Sequence, residues 1–260
     1  MELFLLKIAL PTLLIGGASL AARRWGVAVG GWLVGLPLTS GPVVLLLALV
    51  HGNAFAAHAS NGILLGLVSG AVFSVVYALL ARRAPWPLCW AGSWAAFVAC
   101  TAVLDRFTVP LAASFVAAVA ALAAALPLLP AVDHVGPQLR SPRWETPLRM
   151  LSAATIVVVL TAVAGTLGPR LSGLLTPFPV AATILTVFTH RLEGAPGAVR
   201  LLRGFMAGNF AFAAFFLIVA TRLQPWGLAP TFAAAVGVAC AVQLAALAIM
   251  HAKGAVSLGS

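Results

Sequence analysis

The run Leu111–Val132, LAASFVAAVAALAAALPLLPAV, holds 22 residues without one charged side chain. At about 1.5 Å of rise per residue a helix of that length spans roughly 33 Å, enough to cross a hydrocarbon core of about 30 Å. Met150–Pro169, MLSAATIVVVLTAVAGTLGP, is free of charge in the same way. Lipid offers no hydrogen bonds to the main chain, so such runs must close their own, as helices do. The composition agrees. Of 260 residues, 62% are hydrophobic and 8% charged, against about 25% charged in a typical soluble domain. Fifteen Lys and Arg with five Asp and Glu cannot give a chain of this size a polar skin.

Working outward from these runs gives nine apolar spans: Leu3–Ala22, Gly30–Val50, Ala54–Ala81, Pro85–Leu104, Val109–Leu129, Pro147–Leu167, Leu171–Thr189, Ala198–Thr221 and Trp226–Met250. Met1–Ala22 is taken as a first span and not a signal peptide, because Glu2 and Lys7 stand where a basic cluster belongs. The one long polar connection, Ala131–Thr146, carries Asp133, Arg140, Arg143 and Glu145. The net charge of +10 comes from short basic clusters beside apolar runs, which points to membrane flanks and away from nucleic acid. Alternate connections hold eleven Lys and Arg (Arg23, Arg24, Arg82, Arg83, Arg140, Arg143, Arg149, Arg191, Arg200, Arg203, Lys253) against four (Lys7, Arg106, Arg170, Arg222). The positive-inside rule then predicts an integral protein of a bacterial cytoplasmic (inner) membrane, N-terminus outside and C-terminus cytoplasmic. Cys89, Cys100 and Cys240 fall in or beside apolar runs without CxxC spacing and read as buried free thiols.

The halves echo one another. Leu38-Thr39-Ser40-Gly41-Pro42-Val43 matches Leu175-Thr176-Pro177-Phe178-Pro179-Val180 at an offset of 137, and Gly66-xxx-Gly70 matches Gly204-xxx-Gly208 at 138. Arg82-x-x-Pro85-Trp86-x-Leu88 matches Arg222-x-x-Pro225-Trp226-x-Leu228 at 140, and Cys100 meets Cys240 at that offset. Five spans separate equivalent helices, an odd number, so the copies would be inverted, as in many secondary transporters. The expected fold is all-α and polytopic: residues 1–107 form repeat one (spans one to four), residues 108–146 the linking span five and a cytoplasmic loop, and residues 147–252 repeat two (spans six to nine).

Spans two and seven are each interrupted, by Pro37 and Pro42 and by Pro177 and Pro179. Proline lacks the amide donor and disturbs the preceding turn. Broken spans at matching places are the sequence pointer to a transporter's binding site. The candidate substrate-binding residues are therefore Thr39, Ser40, Gly41 and Pro42 with Thr176, Pro177 and Pro179, whose hydroxyls and freed amides suit a polar or anionic group. The competing reading is a pair of ordinary proline kinks. The stripes Gly62-xxx-Gly66-xxx-Gly70 and Gly204-xxx-Gly208 predict close helix packing. If they face the broken spans, Ser69 and Asn209 reach the same place; Asn209 and its counterpart Gln243 must in any case face inward, to bind ligand or tie helices together. His51, His58 and His190 read as interfacial. Glu2, Asp105, Asp133, Glu145 and Glu193 all fall at span ends or in loops, so neither carboxylate catalysis nor a metal site is expected. No enzyme motif is present and no cofactor is called for.

From Leu148 to Ala252 the chain resembles the small four-span GlpM-like membrane proteins. The likeness rests on Gly173-Leu174-Leu175-Thr176-Pro177-Phe178-Pro179, on Gly194, and on Leu202-Arg203-Gly204, with a departure from the pattern at Leu175-Thr176. It implies a four-helix unit and no substrate, and it suggests duplication of that unit with span five added to flip the second copy. The drug/metabolite exporters, with five plus five spans, are a looser architectural analogue. The expected function is a small secondary transporter or facilitator that takes a small polar solute between the repeats. A lipid flippase or scramblase and a non-transporting assembly factor are the alternatives. Membrane lipids are the expected surroundings, and a homodimer is one admissible state.

Overall fold

Proline and glycine punctuate the chain where its helices begin and end. The computed structural model describes residues 13, 16–37, 40–130, 148, 151 and 180–252. Residues 16–25 are helical, and Gly26 turns the chain into α1, Val27–Val34. After the break at Gly35–Pro37 come α2, Ser40–His51, and α3, Asn53–Leu80. Pro85 and Pro110, with φ near −65°, stand at the N-caps of α4, Trp86–Leu104, and α5, Leu111–Leu128, where a fixed φ costs nothing. α6, Val180–Trp226, folds back on itself at Gly194 (φ 71°, ψ −171°), and α7 is Leu228–Ala252.

Every element among the described residues is an α-helix, and five are long and apolar enough to cross a membrane: α3, α4, α5, α6 and α7. The chain is an all-helical membrane protein. The expected spans three, four, five and nine match α3, α4, α5 and α7 to within two residues at either end. Span eight starts earlier than expected, just after Gly194. Pro147–Leu167 lies outside the described residues except for Leu148 and Leu151, and Leu171–Thr189 is described only from Val180. The Arg-x-x-Pro-Trp matches have different local structures. Trp86 opens a helix, whereas Pro225 and Trp226 close α6 before Gly227 (φ 78°) turns the chain.

α3 and the second limb of α6 (195–226) form the centre. α4 and α5 flank α3, α7 flanks α6, and α1 lies on α6. Few residues of α4, α5 and α7 are buried, as in lipid-facing helices; Leu88, Val98, Val116, Val236 and Leu244 point outward. Contacts of four side chains define the two ends of the bundle. At one end Tyr77 meets His190, and Arg203 donates to the carbonyls of Leu129 and Pro130 at 2.7 and 3.0 Å. At the other Asn53 Nδ2 donates to Leu223 O at 3.2 Å and Asn61 Nδ2 to Val109 O at 3.0 Å. Successive helices therefore alternate in direction from α3 to α5, and again between the two limbs of α6 and α7.

Candidate binding site at the interrupted helix

The buried apolar core is divided across its middle. One cluster, toward the Tyr77 end, includes Val34, Ala71, Phe73, Leu122, Phe205 and Met206. The other includes Val44, Leu67, Ala118, Ala211, Phe212 and Phe216. On each of three elements the divide falls on polar or broken chain: Gly35–Pro37 between α1 and α2, Ser69–Gly70 in α3, and Gly208–Asn209 in α6. Asn209 also stands near the mid-length of the 195–226 limb.

The break forms because α1 tightens and stops. Gly35 N–H is shared between the carbonyls of Gly31 and Trp32, both at 3.2 Å, and Leu36 N–H reaches Leu33 O at 3.1 Å. Pro37 has no amide hydrogen to continue the ladder. Its carbonyl instead accepts from Gly41 N–H at 2.8 Å, which starts α2.

Two glycine pairs hold the break against α6. A Cβ at Gly31 would collide with the carbonyl of Leu201, and one at Gly204 with the carbonyl of Ala28. A Cβ at Gly35 would lie 2.6 Å from the Cα of Gly208. Small residues four apart on both helices allow this approach, as in membrane helix dimers. The stripe Gly204-xxx-Gly208 thus faces broken span two. Gly70, by contrast, has nothing within 4 Å of an added Cβ among the described residues, so close packing does not account for it. Beyond the break, Phe215 Cζ stands 3.4 Å from an added Cβ at Gly41.

Gln243 of α7 reaches the same place. Its Nε2 donates to Trp32 O at 2.9 Å, in the last turn of α1. Asn209 and Gln243 are 2% and 3% exposed. Neither Asn209 Nδ2, Gln243 Oε1 nor Trp32 Nε1 has a hydrogen-bond partner among the described residues. Thr183 and Thr186, at the start of α6, are likewise buried with unpartnered hydroxyls. A buried polar group left unmatched costs about 1–3 kcal/mol, so the atoms of Trp32, Asn209 and Gln243 near the break call for another partner.

The structure divides the expected site residues. Ser40 is buried in the first turn of α2. Gly41 and Pro42 were expected in unwound chain, yet both are helical, and the non-helical stretch lies upstream at Gly35–Pro37. The reason is positional: a proline in a helix's first turn gives up an amide that has no intrahelical partner anyway. Asn209 and Gln243 come to the break, and Gln243 both ties α7 to α1 and presents a free oxygen. Ser69 instead accepts a hydrogen bond from Thr101 at 2.9 Å and joins α3 to α4. Thr39, Thr176, Pro177 and Pro179 lie outside the described residues. Sequence reasoning missed Trp32; the signal for it was Gly31-xxx-Gly35 around it.

A second polar contact joins the halves of the chain. The Tyr77 hydroxyl lies 3.3 Å from His190 Nδ1, with the rings edge-on at 5.8 Å. His51, at the opposite end, is exposed and stacks on Phe55 at 4.9 Å. Among the described residues no three His, Cys, Asp or Glu come together. Cys89, Cys100 and Cys240 are free thiols, and only Cys89 is buried. Cys240 is exposed on α7, against the expectation of burial, because α7 faces outward over much of its length. Scans against protein-family models, curated proteins and solved structures found no match to this chain.

Proposed function

We propose that this chain is a small secondary transporter or facilitator, binding a small polar solute at the broken helix between two inverted four-helix repeats. One observation carries the reading: at the α1–α2 junction, in α3 and in α6, broken or polar chain lies between the two apolar clusters, and α1, α6 and α7 carry buried hydrogen-bonding atoms there that have no partner among the described residues. Lipid would leave those atoms unsatisfied, and irregular backbone at this depth is tolerated where it lines a cavity. Nine spans fit the same picture. α5 ends beside Arg203, and the 180–193 limb of α6 runs toward that same end, where His190 meets Tyr77. In the nine-span reading the chain between them, outside the described residues, would cross once more, and the apolar run Pro147–Leu167 is the stretch expected to do so. The arginine-rich end would be cytoplasmic, with the N-terminus outside. The solute crosses chemically unchanged.

Access to the break tests the proposal without a known substrate. Ser40→Cys in a background lacking the three native cysteines, in proteoliposomes, should react with a water-soluble maleimide. Reaction only with a membrane-partitioning maleimide would favour a groove open to lipid, as in a scramblase. Inertness to both reagents would mark a solid core and remove the transport reading.

A further inference from the structure

The unpartnered atoms around the break also define what would occupy it, an inference that rests on the transport reading. Trp32 Nε1 and Asn209 Nδ2 can only donate, and Gln243 Oε1 can only accept. The Gln243 amide is oriented by its partner. A carbonyl oxygen only accepts, so the atom 2.9 Å from Trp32 O must be the NH2, which leaves the oxygen free. Donors and acceptor belong to three helices gathered at the end of α1. Gln243 lies on Trp32 O, and the backbones of Gly208 and Asn209 lie against Trp32 and Gly35.

Among the described residues the segments around the break carry no charge. Neither Trp32–Ser40, Gly204–Ala220 nor Ala233–Met250 contains a Lys, Arg, His, Asp or Glu. The nearest along α6 is Arg203, six residues and so about 9 Å of helix rise from Asn209. Its terminal NH2 is held on the Leu129 and Pro130 carbonyls. An ion brought here would give up its water without meeting an opposite charge, an unfavourable exchange in a low-dielectric interior. The helix ends at the break do not supply that charge either. The C-terminus of α1 and the N-terminus of α2 carry opposite partial charges, which suits a dipole and not a monopole.

We propose that the site takes a small solute without net charge that both accepts and donates hydrogen bonds, of the amide or polyol class. The test is thermal unfolding of the full-length protein in detergent with acetamide, xylitol, acetate, phosphate or methylammonium, at matched osmolarity and ionic strength. Acetamide or xylitol should raise the midpoint saturably, with half-saturation moved at least tenfold upward in Asn209→Leu. Trp32→Phe removes the indole donor while keeping an aromatic ring and should weaken the response in the same direction, which covers the case of an Asn209→Leu protein that fails to fold. A saturable response to acetate, phosphate or methylammonium in place of the uncharged solutes would overturn this inference and leave the transport reading standing. No saturable response to any of the five would remove both.

Discussion

Where Gly35 crosses Gly208, no flexible side chain stands in the way that could yield to a larger residue. A methyl group on Gly208 would meet the carbonyl of Trp32 and sit 2.9 Å from the Cα of Gly35, so the helices themselves would have to separate. Overpacking of this kind costs about 1–3 kcal/mol. Gly208→Ala should therefore lower the unfolding midpoint in detergent. Gly237 is the control, because an added Cβ there meets nothing within 4 Å among the described residues. Gly237→Ala should leave the midpoint unchanged or raise it, since alanine is the better helix former by about 0.5–1 kcal/mol. Equal behaviour of the two variants would mean that α1 and α6 are not in close contact.

At the scale of elements, single glycines join helices end to end. Gly26 (φ 96°, ψ 158°) and Gly52 (φ 89°, ψ 162°) each reverse the chain in one residue, in a backbone region that is essentially closed to other residues. Gly52→Ala should destabilise the α2–α3 corner by about 1–3 kcal/mol, read as earlier protease cleavage near residue 52 and a lower midpoint. Normal stability would show that the corner relaxes. The long helices were legible in the sequence because length and apolarity alone define a span. That is why α3, α4, α5 and α7 fall close to their expected bounds. The break was legible from Pro37, but its extent was not, since Pro42 looks like a breaker and sits where a helix tolerates one. The meeting of Trp32 with Gln243 could not be read. Helices in lipid are apolar on every face, so periodicity does not tell which side faces a neighbour.

For the whole molecule, arginine and tryptophan mark the two ends. Arg24 lies over Trp25 at 5.8 Å and Arg191 over Trp86 at 5.6 Å at the Tyr77 end, while Arg222 lies over Trp226 at 4.9 Å at the other. Tryptophan belongs at the membrane–water boundary, and an arginine beside it gains a cation–π contact while reaching water. Among the described residues Arg23, Arg82, Arg83, Arg200 and Arg203 join the first end, and Arg106 joins the second. In the proposed orientation, single cysteines replacing Arg83 and Arg143, the latter outside the described residues, should react with an impermeant reagent only from the cytoplasmic side. Those replacing Thr108 and Arg222 should react only from outside. Labelling of the Arg83 and Thr108 variants from the same side would break the alternation.

The glycine crossing also bears on how such a molecule could move. Interlocked side chains resist rotation, because each must change rotamer before the helices can turn. Between α1 and α6 the contact is main chain on main chain, at Gly31, Gly35, Gly204 and Gly208, and there is little to disengage. It is a smooth bearing set beside the break, where a turn of α1 is opposed by the apolar contacts of Val27 and Val34 and not by the glycines.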